Sequence, residues 1–215
     1  MSLRRSTDPS LVALGAALFC LSGCYDVEKN FDDFTARDKR TSAKSDLDAS
    51  FDAAGCNRTL DNTQDFLLTI TPALFPTKPN LMKATIKIVE NDSMVLTVQS
   101  FHYNRVDLVG GVTVTDPIKL NPDGSFETDT LTLDTPGEAN CALPDTPVTV
   151  EVKLAGGQVC DNTTFACGIM NGKVLAPAVD LNGSTFTAKK IIDGVIPQPE
   201  TNCEHFTAIE PCKAQ

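Results

Sequence analysis

From residue 56 onward, apolar and polar residues alternate with a period of two over several short stretches. In residues 83–88, Ala84, Ile86 and Ile88 share one face and Lys83, Thr85 and Lys87 the other. In residues 148–154, Val148, Val150, Val152 and Leu154 alternate with Thr149, Glu151 and Lys153. Successive side chains of extended backbone point to opposite faces, so both stretches predict half-buried strands. Phe66, Leu68 and Ile70 open the series, and residues 94–103, 112–115, 126–133 and 184–192 continue it. The stretch 126–133 does not sort cleanly. Phe126 shares its face with Thr128, Thr130 and Thr132, while Leu131 and Leu133 share theirs with Glu127 and Asp129. Mixed faces of this kind fit either a β-bulge or the partly polar lining of a cavity.

Turn chemistry punctuates the strands. Asn91, Asp92 and Ser93 predict a tight hairpin, and Asn-Pro-Asp-Gly at 121–124 predicts a type I turn closed by Gly124. Residues 155–158 and 182–184 mark two further turns, and Gly110-Gly111 and Gly156-Gly157 read as turn glycines. The pattern predicts an all-β fold: an antiparallel β-barrel or β-sandwich of about 7–9 strands.

The first 55 residues differ from this. Arg4 and Arg5 precede an apolar run at 10–21, which suits the core of an export signal and is too short to span a bilayer. The run ends in Leu21-Ser22-Gly23-Cys24. These four residues resemble the lipobox of bacterial lipoproteins: an aliphatic residue, a small one, Gly or Ala, then Cys. The resemblance covers residues 1–24 only. It implies diacylglyceryl (palmitate-type) modification of the Cys24 thiol, cleavage between Gly23 and Cys24, and acylation of the new amino group. Two or more acyl chains hold a protein stably on a membrane. Tyr25, where retention at the inner membrane uses Asp, favours the outer membrane. The expected organisation is therefore a signal peptide at 1–23, an acylated Cys24 and charged tether at 24–55, and a β-domain with a cysteine-containing tail at 56–215. The expected location is the bacterial cell envelope, facing the periplasm or the exterior.

Cysteine usage fits export. Of eight cysteines, Cys20 leaves with the signal and Cys24 carries lipid, so Cys56, Cys141, Cys160, Cys167, Cys203 and Cys212 remain for disulfides. Short separations suggest Cys160–Cys167 and Cys203–Cys212, which leaves Cys56–Cys141. A zinc site lacks support: there is no C-x₂-C pair, and His102 and His205 lie at no ligand spacing from each other. The mature chain carries 16 basic and 27 acidic residues, a net charge of −11. Such a surface repels phosphate backbones, which argues against nucleic acid as a partner.

No string of a nucleophile elbow, zinc protease, P-loop or serine–lysine enzyme occurs. His102 reads as a strand-end residue held by a hydrogen bond. An EF-hand aligned on Gly124 would put Lys119 and Thr130 at its first and last ligand places, so 119–130 is a turn and not a calcium loop. With no Trp, sugar stacking has little to use. No catalytic residue, metal ligand or cofactor is expected. The sequence thus predicts a membrane-anchored, non-enzymatic β-domain that makes protein contacts at the cell envelope. One alternative is a lipocalin-like barrel around a small apolar or lipidic ligand; another is an unrecognised hydrolase.

Overall fold

The computed structural model describes residues 56–212 other than 91, 208 and 211. The expectations placed on residues 1–55, Gly23 and Cys24 included, lie outside the described residues, as does Asn91 of the first hairpin. The described part is all-β, in eleven antiparallel strands: β1 (Thr63–Thr71), β2 (Asn80–Glu90), β3 (Ser93–Phe101), β4 (Leu108–Val114), β5 (Ile118–Lys119), β6 (Ser125–Glu127), β7 (Leu131–Thr135), β8 (Val148–Gln158), β9 (Phe165–Val174), β10 (Val179–Asp180) and β11 (Ser184–Lys190). Three of them, β5, β6 and β10, have three residues or fewer, which is why the count exceeds the seven to nine read from periodicity.

The strands form one sheet in the order β4-β3-β2-β1-β11-β9-β8-β6. β3 pairs with β4 over one half and with β5 over the other; β8 likewise pairs with β7 and then β6. The sheet therefore curls until its two margins meet, and among the described residues the ladder contact at the meeting line is a single bridge, Leu120 to Phe126. The sheet is not closed. It nonetheless encloses one core, built from Phe66, Leu68, Met82, Ile86, Met94, Leu96, Val152, Leu154, Met170 and Phe186 among others.

The mixed faces at 126–133 are a break between strands. β6 shifts register against β8 between Phe126 and Glu127, and the next strand begins only at Leu131. The shift lets Phe126, Leu131 and Leu133 all point inward although they differ in parity. Thr128 bridges the gap: its N–H donates to Leu154 O at 2.9 Å and its hydroxyl accepts from Leu154 N at 3.0 Å.

Three expectations are corrected. Residues 155–158 are the end of β8 and Gly110-Gly111 lies inside β4, so both glycine pairs sit in strands, each beside a register shift. Strand β9 was not foreseen, although it lies between β8 and β11. Its inward alternation, Ala166, Gly168, Met170, is masked by the glycine. That glycine is required, because a Cβ on Gly168 would run into Ala155 O and the ring of Phe186; a Cβ on Gly157 would likewise strike the ring of Phe126, which stands beside Phe186 with centroids 6.3 Å apart. Finally, the disulfides are Cys56–Cys160, Cys141–Cys212 and Cys167–Cys203, with Cα separations of 5.1, 5.1 and 5.4 Å. All six cysteines pair, but none of the three pairs is the one that short separation suggested. Cys160 and Cys167 lie on opposite sides of the turn into β9, and each meets a partner brought by another part of the chain.

Candidate functional site

The antiparallel register defines two poles. The proximal pole holds the first residues of β1 and β9, the last of β8 and β11, and Cys56, where the preceding chain joins. The distal pole holds the opposite ends, with residues 72–79 and 136–147. A nine-residue strand separates the poles by about 27 Å.

The proximal pole is tied down locally. Asn121–Gly124 forms the expected turn, with Gly124 N donating to Asn121 O at 2.8 Å. Gly124 has φ +84°, and a Cβ there would strike the sulfurs of the Cys56–Cys160 disulfide. Asp123 accepts from the Ser125 N–H and hydroxyl, so its carboxylate is engaged by its own turn. Asp161 accepts from Thr59 N, the Thr59 hydroxyl and Asn62 Nδ2, and these bonds hold its carboxyl below the ordinary range. Among the described residues no group of three or more His, Cys, Asp or Glu side chains converges as a metal site.

The distal pole is apolar and open. A cavity of about 60 Å3 lies at this end of the core, lined by Ile70, Met82, Val148, Met170 and Leu181. At its rim Leu74 is 62% exposed and Phe75 37%. Two successive turns, closed by Phe75 N to Pro72 O and Lys78 N to Phe75 O, hold this loop in place. The facing loop is organised by buried Asn140, which donates to Thr146 O and accepts from Leu143 N, and by the Tyr103 hydroxyl, which donates to Gly137 O at 2.5 Å. Cys141–Cys212 pins that loop to the chain's last described residue. Deeper in the core a further void is about 20 Å3. Pockets that enclose small molecules usually reach 300–1,000 Å3, so the interior is filled by side chains.

A third region was not foreseen. After β11 the chain doubles back over the outer face of β11 and β1 as an irregular strap. The Thr187 hydroxyl donates to Glu200 O at 2.6 Å and the Thr185 hydroxyl to Thr201 O at 2.7 Å. Cys167–Cys203 fastens the strap to β9. Ile191 and Ile196 pack on Leu67, Leu81 and Phe101. The Glu200 side chain is 7% exposed, and its two oxygens meet Lys189 Nζ at 2.5 Å and His205 Nδ1. Burial by itself would raise the Glu200 carboxyl; the bonds and charges of Lys189 and His205 outweigh it and hold the group below the usual glutamate range. The His205 ring lies against Phe165, tilted by 36° with centroids 4.5 Å apart. The signal for the strap was present in the sequence as Ile-Ile-Asp-Gly-Val-Ile, an Asp-Gly turn between apolar residues, which the strand pattern at 184–192 hid. His102 behaves as expected: it follows β3 and its Nδ1 accepts from Asn104 N at 3.1 Å.

Comparison with known proteins returns no matching family model, no matching curated protein and no matching solved structure.

Proposed function

We propose that this chain is a lipid-anchored envelope protein, acylated at Cys24, whose β-domain is a non-enzymatic module that engages another protein through its distal pole. The observation that carries this proposal is the polarity of the domain. The chain preceding Cys56 joins at one pole, while the exposed Leu74 and Phe75, beside an apolar cavity, stand at the other. Three disulfides agree with an oxidising compartment outside the cytoplasm. The filled interior favours contact by surface over enclosure of a ligand.

Two experiments test the proposal. Metabolic labelling with a palmitate analogue should mark the wild-type protein and not Cys24→Ala; label retained by the variant defeats the anchor. A photo-crosslinking residue placed at Leu74 in intact cells should trap one discrete partner, whereas the same residue at Asn121 should not. Equal trapping at both positions, or none at Leu74, defeats the distal interface.

A further inference from the structure

The strap divides into two parts that are held differently. Its first part is apolar. Ile191 and Ile196 pack on Leu67, Leu81 and Phe101, and Ile191 N donates to Asp65 O at 2.8 Å. Between them a tight turn closes on itself, with Val195 N donating to Ile192 O at 2.9 Å. The second part, residues 200–206, is a loop bonded largely within itself. Thr201 N donates to Phe206 O at 2.8 Å, and Asn202 Oδ1 accepts from Glu204 N and Phe206 N. The two parts are joined by Pro197-Gln198-Pro199, whose prolines have no N–H to bond. Beyond the loop the chain is fixed again, by Glu210 N to Thr77 O and by Cys141–Cys212. The loop is thus a flap with both ends anchored elsewhere.

The flap is fastened to the sheet by polar contacts and one disulfide. The Thr187 and Thr185 hydroxyls donate to its Glu200 and Thr201 carbonyls, and the Glu200 carboxylate meets Lys189 and His205. The cover it makes is imperfect. Thr69 and Thr71 stand directly opposite Thr187 and Thr185 in the β1–β11 ladder, and their buried hydroxyls have no hydrogen-bond partner among the described residues. A hydroxyl buried without a partner forgoes the bond it would make to water, so lifting the flap relieves both. The closed state therefore leans on Cys167–Cys203. That disulfide is also the most accessible of the three. Cys203 is exposed and Cys167 half-buried, whereas each other disulfide has a buried member, Cys160 at 5% and Cys141 at 3% exposure. Cys56–Cys160 is further enclosed by Gly124 and the Val159 carbonyl.

We infer that Cys167–Cys203 is a redox latch. An external dithiol opens it ahead of the other two disulfides and frees residues 200–206 from the sheet, while the core stays folded. A thiolate of the dithiol attacks the exposed Cys203 Sγ, the S–S bond breaks, and Cys167 leaves as a thiolate that takes up a proton. The reductant's second sulfur then displaces Cys203, which is protonated in turn. The dithiol ends as its own disulfide, having passed two electrons and two protons to the protein. Exposed disulfides are the labile ones in this exchange. Because both ends of the flap stay fixed, Cys203 remains within reach of Cys167 and an oxidant closes the latch again. The inference stands apart from the acylation of Cys24 and from the distal interface.

The test treats the full oxidised chain with dithiothreitol in steps, alkylates the free thiols and maps them by mass spectrometry. Cys167 and Cys203 should be labelled at least tenfold faster than Cys56, Cys141, Cys160 and Cys212. At that stage a glutamate-specific protease should cut after Glu200 at least tenfold faster than in the oxidised protein. The amides of β2 should remain protected from exchange, and reoxidation should restore resistance at Glu200. The double variant Cys167→Ser, Cys203→Ser should be cut after Glu200 without any reductant. Should it fail to fold, the partly reduced wild type gives the same readout. Another disulfide opening first, all three opening together with loss of β2 protection, or a reduced Cys167–Cys203 pair with Glu200 still resistant would each overturn the inference.

Discussion

Strands β1 and β4 are both apolar and uncharged over most of their length, yet one is buried on both faces and the other is exposed on both. In β1, Phe66, Leu68 and Ile70 face the core while Leu67, Thr69 and Thr71 are covered from outside. In β4, Leu108, Val112 and Val114 are exposed, at 39%, 56% and 61%. Composition does not separate them; position does. β1 sits mid-sheet between β2 and β11, under the C-terminal strap, whereas β4 is the marginal strand. An apolar margin invites pairing with other chains, and a bulge is one way proteins blunt it. Here β4 shifts register against β3 around Gly110 and Gly111, which breaks the flat row of backbone groups. A covered wall and a blunted margin are two solutions for the same kind of strand.

The contrast predicts where the molecule breaks. The largest effect should come from releasing the strap. Cys167 and Cys203 are 36 residues apart, so replacing both by Ala should cost about 4 kcal/mol by loop-closure entropy. Amide exchange should then quicken over 200–203 while the core of β2 stays protected. Undiminished protection of the strap would mean that its packing, not its disulfide, holds it.

Next is a direct comparison of the two strands. Leu67→Ala, beneath the strap, should lower stability by about 3 kcal/mol in urea titration. Val112→Ala, on the margin, should change it by no more than about 0.5 kcal/mol. Equal costs would abolish the distinction.

A smaller effect lies in the strap's ion pairs. Glu200→Gln should cost about 1–2 kcal/mol at neutral pH, because charge-assisted bonds to Lys189 and His205 become neutral ones. The sign with pH follows from the carboxyl's lowered folded-state value. A group of that kind stabilises the fold above its unfolded value of about 4.3, and the gain is lost as pH falls through the lower folded value. The gap between wild type and variant should therefore narrow below about pH 4. A constant gap down to acid unfolding would assign the loss to packing.

The smallest expected change is a gain. The Thr69 and Thr71 hydroxyls are buried under the strap and have no hydrogen-bond partner among the described residues. Thr69→Val keeps the shape and removes an unpaired polar group, and should raise stability by about 1 kcal/mol. A loss of stability would show that the hydroxyl is satisfied after all.

How much of this could be read along the chain depends on the range of each interaction. The inward sets Ala84–Ile86–Ile88 and Val148–Val152–Leu154 were legible because alternation is a local property of extended backbone. The turn at Asn121–Gly124 was legible for the same reason, as was the pool of six paired cysteines. The break in 126–133 showed itself as mixed faces, and only the register with β8 decided that it was a bulge and not a polar cavity. The strap's Glu200 cluster was not visible, since it joins residues from β9, β11 and the tail.

By itself, then, the sequence determined the all-β character, the inward-facing residues of the regular strands, the turn at Asn121–Gly124, and which cysteines were available to pair. The tertiary structure decided which cysteines met, which strand was covered twice, and which side chains gathered around Glu200. The physical reason is distance. Periodicity acts over two residues, whereas a disulfide needs Cα atoms about 5 Å apart, and a buried outer face needs a strap that arrives more than a hundred residues later.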